Sequence, residues 1–468
     1  MPPDMPRENY AEPTLYTLSY LSRIIRLLLY SALGISAAGL VGFEGLHFYI
    51  EHRLMATPSG ASEDEYGWSG EVLSWTGREK GGTDPRLGWK GRHALRGAWI
   101  CQEWGAGGPA GSIGRTIHPG PRSGTGSGVE VNRVDRGFEL AEEYVDLAIG
   151  EAEKRGIVFP GGQGKADQTA LDLLLLKAGV LERLATEQSL VQAKGIYQDV
   201  LDSLRGTDVA RAVRLSGKIG DLAQRTGGDG KGWWLAGLQR AGVELPAAGI
   251  QQKVEKKGWF GKTTPAVTTV PIATPPSLSP PVLRAVINVL ISTEANLATS
   301  SQYAESARVQ QLALSLIPPA SSSLSSPAAL HDLWTSHRTA LLTLHSASVS
   351  HARKLPAAAT ESATTAATLS ESIIPRLPSY PISSPLHPSA KLLARDAQSL
   401  AAEANFTRGV LLEKAKEGAE LEVAGECFER AMGHAGERGP EWDRYWRAFA
   451  RVREKLEKRR EAERGVIA

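Results

Sequence analysis

Two cysteines are all that this chain of 468 residues contains. Cys101 and Cys427 are far apart and have no Cys or His neighbours at ligand spacing. That excludes a disulfide framework and a zinc site of the usual pattern. Both read as small buried apolar side chains. An excess of charge is also lacking. Lys and Arg number 53 against 51 Asp and Glu, a formal net charge of +2. No large basic surface is implied, so no nucleic-acid partner is expected. The signatures of chemistry are absent too. There is no HExxH and no GxSxG. Three Gly-Lys sites fail as phosphate loops. The GKT at 261–263 has Lys256 where the first glycine belongs, 161–167 lacks a Ser or Thr after Lys165, and Lys231 is followed by Gly232. His47 and His52 are five apart, a poor helical spacing for a shared metal. The GTGSG at 124–128 has no flanking strand, and the pair Glu142–Glu143 reads as a solvated helix face. No cofactor is implied. No alternating strand-like run occurs in the body of the chain.

Long apolar runs are missing as well, with one exception. Residues 27–43 carry no charge, and after Glu44 the run continues to Ile50. A helix of about 20 apolar residues crosses a bilayer, so residues 27–50 predict a single transmembrane helix after an N-terminal lead, 1–26. The run is longer than a signal-peptide core of about 7–15 residues. Arg23 and Arg26 precede it. The positive excess on that side predicts an N-terminus on the side of synthesis, or in the matrix of a mitochondrion. Gly34, Ala38 and Gly42 form a small-residue stripe along the span.

Five of the eleven tryptophans fall in the glycine-rich segment 56–128: Trp68, Trp75, Trp89, Trp99 and Trp104. A disordered linker is poor in aromatics, so part of this segment is expected to pack, with a short helix over 92–104 and a flexible loop after it. From 133 to 246 the apolar spacing is helical, beginning with Phe138, Leu140, Ala141, Tyr144, Val145, Ala148 and Ile149. Residues 247–280 are rich in Pro and Thr and read as a linker. Helical spacing resumes over 281–460, interrupted by Pro/Ser-rich loops, one of them at 374–388.

Paired helices with short turns suggest an α-solenoid. The last full pair carries a small–aromatic–small pattern at Ala424, Phe428 and Ala431, with Gly409 in the preceding helix. The matching residues are Ala193, Tyr197 and Val200 with Gly179 in one earlier pair, and Trp234, Leu238 and Ala241 with Gly220 in another. This pattern resembles the tetratricopeptide repeat, in degenerate form. The expected fold is therefore all-α: one N-terminal transmembrane helix followed by an α-solenoid of degenerate tetratricopeptide-like repeats. An irregular helical bundle is the alternative.

One span, a Trp/Gly-rich juxtamembrane segment and degenerate repeats together resemble the fungal mitochondrial inner-membrane adaptors of the i-AAA protease. That resemblance implies a single-pass protein of the inner membrane, with its body in the intermembrane space. It implies recruitment of protein substrates to an AAA protease, without catalysis by the chain itself. A structural organiser of a membrane complex, or a membrane-associated enzyme built from scattered residues, are the alternatives. Repeat arrays bind along the face built from the first helix of each pair. Lys177, Arg183, Lys218 and Arg408 are the candidate cations there for an acidic peptide.

Overall fold

The computed structural model describes residues 11–55, 66–68, 75–77, 81–106, 136–161, 165–204, 208–245, 278–318, 326–381, 384–415, 418–436 and 441–467. Among the described residues there are fourteen α-helices and no strand. The GTGSG and GKT segments and most of the 247–280 linker lie outside them.

The first helix, α1, runs Ala11–Tyr49, so it begins well inside the expected N-terminal lead. Nothing between Pro13 and Leu27 breaks a helix, and Pro13 sits in the first turn, where its missing N–H is tolerated. At 1.5 Å per residue its 39 residues extend about 58 Å. Tyr16, Leu27, Leu33, Ile35 and Val41 are each more than half exposed. Soluble proteins rarely expose apolar patches beyond a few hundred Å². Among the described residues, this is the one helix long and apolar enough to cross a membrane. A Cβ added at Gly34 or Gly42 would meet open space, so the small-residue stripe has no intrachain partner.

The body is a succession of helical hairpins. They are α2 (Gly88–Trp104) with α3 (Arg136–Lys154), α4 (Gln168–Leu184) with α5 (Glu187–Ser203), α6 (Val209–Arg225) with α7 (Lys231–Arg240), α8 (Pro280–Thr299) with α9 (Tyr303–Leu316), α10 (Ser326–Ala352) with α11 (Pro356–Ile373), and α12 (His387–Ala415) with α13 (Gly418–Ala435). A last helix, α14 (Trp442–Ile467), lies against α13. Local chemistry sets the boundaries. Thr186 and Asp208 cap α5 and α6 by accepting hydrogen bonds from the main-chain N–H of Ser189 and Arg211. Pro280 opens α8 behind Ser279. Gly156 follows the last turn of α3 with a φ of +76°, a conformation that suits a helix stop.

From α2 onward each helix packs on its neighbours in sequence, and from α6 onward alternate helices also touch one another: α6 with α8, α8 with α10, α10 with α12, and α12 with α14. From α6 to α14 the first helices therefore form one layer of touching helices. Within two pairs the contact rests on a glycine. A Cβ at Gly409 would lie 2.8 Å from the ring of Phe428, and one at Gly220 would lie 2.4 Å from Nε1 of Trp234. Ala424, Phe428 and Ala431 are fully buried, and Glu429 beside them is exposed. At Gly179 a Cβ would meet nothing within 4 Å, so the third expected glycine contact does not form.

Some expectations are corrected. The first body helix starts at Gly88 rather than 92. Tyr144 is more exposed than its place on the apolar face predicts, because its ring lies over Gly97 instead of entering the core. Part of the expected 374–388 loop is a 3₁₀ turn, Ile374–Ser379, and α12 begins at His387. The sequence GGDGKG forms the turn between α6 and α7, with no strand before it.

Trp68, Trp75 and Trp99 of the Trp/Gly-rich segment pack inward. Trp68 joins the largest core cluster, among residues of α6 to α12. Its indole Nε1 donates to the carbonyl of Pro327. The fully buried Arg284 lies 3.9 Å over its ring and donates to the carbonyl of Tyr66. Trp75 joins a second cluster with Ile50, Met55, Leu87, Leu95, Trp99 and Val145. The end of α1 is thus part of the body's core.

Candidate functional site

The four sequence-derived cations lie on first helices, as expected: Lys177 and Arg183 on α4, Lys218 on α6, Arg408 on α12. Three of them already have partners within the chain. Lys177 pairs with Asp146 of α3 at 2.7 Å. Lys218 pairs with Glu182 of α4 at 2.8 Å. Arg183 donates to Gln102 of α2 and lies over the Phe138 ring. Nε of Arg408 is buried without a hydrogen bond. No two of the four share a partner among the described contacts.

A different place gathers polar groups. Between α10 and α12, on the layer of first helices, lies a groove of 470 Å³. His337, Arg338, His345 and Ser348 line it from α10, and Asp396, Ser399, Glu403 and Thr407 from α12. Leu341, Leu344 and Leu400 supply its apolar surface.

Beneath it lies a buried carboxylate. Glu294 of α8 is 1% exposed. Its Oε2 accepts from Gln310 Nε2 at 2.8 Å and from Ser306 Oγ at 3.2 Å, and its Oε1 contacts His345 Nδ1. A buried carboxylate persists where its oxygens are satisfied in this way. Which of the two groups donates in this contact depends on the tautomer of the His345 ring.

His337 is the least satisfied group of the groove. It is 3% exposed, and neither ring nitrogen has a hydrogen bond of normal geometry. Burial and the neighbouring Arg338 guanidinium push its pKa down to about 4, the Asp396 main chain opposing both. At neutral pH the ring is therefore uncharged and offers one donor and one acceptor.

The far wall is held in place by ionic contacts. Glu403 accepts from Arg444 at 3.2 Å and from the Tyr445 hydroxyl at 3.0 Å, which ties α12 to α14. Glu413 accepts from Arg451 and Lys455 of α14. Glu371 of α11 accepts from Asn405 and contacts His434, joining α11, α12 and α13.

A second built feature is the junction of α1 with the body. The chain leaves α1 through a π-helical turn, Ile50–Leu54. Within it Glu51 is 5% exposed and accepts from Thr83 N at 2.9 Å, Thr83 Oγ1 at 2.7 Å and Arg92 at 3.2 Å, with Arg96 as a further donor. Gly82, with φ +70°, donates its N–H to the Met55 carbonyl, and a Cβ there would sit 2.9 Å from the Glu51 carboxylate. Only glycine suits that conformation and that approach. Asp84 and Arg86 carry the connection to Asp167 and Thr169 at the start of α4. Removing one partner from such a buried charge costs about 3–5 kcal/mol.

Sequence reading missed His337, His345 and Glu294. Their sequence signal was slight: two histidines just over two turns apart on one helix, and a glutamate inside an otherwise apolar helix. No protein-family model matches the chain, and no curated sequence matches it.

Proposed function

We propose that the chain is a membrane-anchored helical-repeat adaptor that binds other proteins along its layer of first helices. The carrying observation is the contact of α6, α8, α10, α12 and α14 with one another in a continuous layer that opens into the α10–α12 groove. An array whose units touch mainly their neighbours leaves one long face for a partner. The glycine–aromatic contacts at Gly220–Trp234 and Gly409–Phe428 support reading the hairpins as tetratricopeptide-like repeats. The exposed apolar α1 supplies the anchor, and the Glu51 junction couples it to the array.

The finer proposal places the protein in the mitochondrial inner membrane, with its body in the intermembrane space, recruiting substrates to an AAA protease. It rests on the arginines before the span and on the architecture. For the structural-organiser reading, in which the Trp-rich segment would dock, Trp68 and Trp75 are spent on the chain's own core, whereas Trp89 is exposed.

The test is affinity purification of the full chain from gently solubilised membranes. A hexameric AAA protease should co-purify, and Ser399→Arg, an exposed groove position, should abolish the association. Glu429→Ala, exposed outside the groove, should retain it. Recovery of a stable respiratory or import complex instead would favour the organiser. Retention of partners by Ser399→Arg would remove the groove from the account.

A further inference from the structure

Of the tryptophans in the 56–128 segment, Trp89 stands apart. Trp68, Trp75 and Trp99 are buried, whereas Trp89 is 63% exposed. It sits in the first turn of α2, and nothing in the core requires it there. Its ring lies against the next turn of its own helix, 4.3 Å from His93 centroid to centroid.

The position of His93 fixes where Trp89 lies relative to α1. The His93 ring stacks on Phe43 at 5.7 Å, and its Nε2 meets the Glu44 carboxylate at 3.2 Å. Trp89 is therefore level with the point at which the uncharged run of α1 ends. Arg26 and Glu44 bracket that run, eighteen residues or about 27 Å apart along a helix. The hydrocarbon core of a bilayer is about 30 Å thick. Glu44, and Trp89 with it, then fall at the boundary between hydrocarbon and headgroups. Phe43, at that level, and Phe48 and Tyr49, about 7–9 Å further along α1, are also at least half exposed. Together with Trp89 they make a collar of aromatic rings contributed by two different helices. Amphipathic aromatic rings concentrate at this depth, where the indole body is apolar and its N–H can reach water or lipid oxygens.

We propose that the N-terminal turn of α2 is a second contact with the lipid surface, with Trp89 seated in the interfacial layer beside the end of α1. This rests on the reading that α1 spans the bilayer. Its consequence is orientation. One helix alone leaves a body free to swivel and tilt, whereas two contacts on different helices define an angle. Because α2 packs on α3, and Asp84 and Arg86 tie its start to α4, that angle is passed to the array. The binding face would then be presented to the compartment in one direction.

The test uses the full chain reconstituted in phosphatidylcholine vesicles. Cys101 and Cys427 are replaced by alanine. An environment-sensitive fluorophore is attached at Trp89→Cys, at Leu33→Cys in mid-span, or at Leu392→Cys on exposed α12. Spin-labelled lipids with shallow or deep nitroxides serve as quenchers. Trp89 is exposed, so its replacement leaves the core intact, and far-UV circular dichroism of each labelled protein checks this. The Leu33 probe should be quenched best by the deep nitroxide and the Leu392 probe by neither. The Trp89 probe should shift to the blue on reconstitution and be quenched best by the shallow nitroxide. If the Leu33 probe is quenched and the Trp89 probe behaves like that at Leu392, the second contact is refuted while the span stands. If the Leu33 probe is not quenched, the span itself fails and the proposal falls with it.

Discussion

Three glycines that the sequence placed in equivalent roles should respond oppositely to the same added methyl group. Alanine in place of a helical glycine gains about 0.5–1 kcal/mol from backbone entropy. At Gly179 that gain stands alone, because the new Cβ meets nothing within 4 Å. At Gly220 the Cβ would sit 2.4 Å from Nε1 of Trp234, whose ring is 2% exposed and donates to Asp221 at 3.1 Å. The ring cannot withdraw without losing that hydrogen bond and its packing. Overpacking costs about 1–3 kcal/mol, and the upper end applies here, so Gly220→Ala should destabilise by a net of about 1–2 kcal/mol. Gly409→Ala should fall between the two, since its closest approach to Phe428 is 2.8 Å. The spread between Gly179→Ala and Gly220→Ala is about 2–3 kcal/mol, which corresponds to roughly 4–6 °C in melting temperature for a large helical body. Thermal unfolding of the full chain in detergent, followed by far-UV circular dichroism, measures it. A Gly220→Ala protein as stable as wild type, with Gly179→Ala destabilised, would refute the packing argument.

In the C-terminal pair, Phe428→Ala should cost about 3–5 kcal/mol by opening a cavity, and Ala424→Leu about 1–3 kcal/mol by overpacking. Glu429→Ala should change little by the same melting assay, since its side chain is exposed. The Arg451 hydrogen bond, with Lys455 assisting and burial opposing, holds Glu413 down to about 2 from an ordinary 4.5. A depressed carboxylate stabilises the fold above its unfolded pKa and loses that contribution as pH falls from about 4.5 to about 2. Its cationic partners are about half exposed, so Glu413→Gln should destabilise by only about 1–2 kcal/mol at neutral pH. Denaturant titrations across that window should show the difference from wild type vanish. His337 is held neutral down to about pH 4, so its contribution is full above the unfolded value of 6.5 and lost as pH falls between the two. His337→Phe should flatten the acid loss of stability in that window. Because the unsatisfied ring nitrogens are removed, it should also leave neutral-pH stability unchanged or raised by about 1 kcal/mol.

The sequence by itself determined those features that depend on order along the chain. The apolar run in α1, the helical spacing of Phe138, Val145 and Ala148, the stop at Gly156 and the small–aromatic–small face of α13 all follow from local periodicity and backbone preference. These act within a few residues of one another. Even the inward packing of part of the tryptophan-rich segment was legible, since a disordered linker is poor in aromatics, although Trp89 stays exposed. Tertiary structure decided what distant residues do to each other. Glu294 reads as one acid in an apolar helix until α9 and α10 bring Ser306, Gln310 and His345 around it. Glu51 is an interfacial charge until a turn more than thirty residues later gives it Thr83, Arg92 and Arg96. Gly179, Gly220 and Gly409 share a sequence pattern, yet only the spacing between neighbouring helices separates two close contacts from one open space. Lys177, Arg183 and Lys218 had the right charge on the right helices, and the acids and amide that occupy them come from other elements. Local pattern sets which residues are helical and which face is apolar. It carries no record of which side chain across the interface satisfies a buried charge, because that partner is chosen by packing rather than by position in the chain.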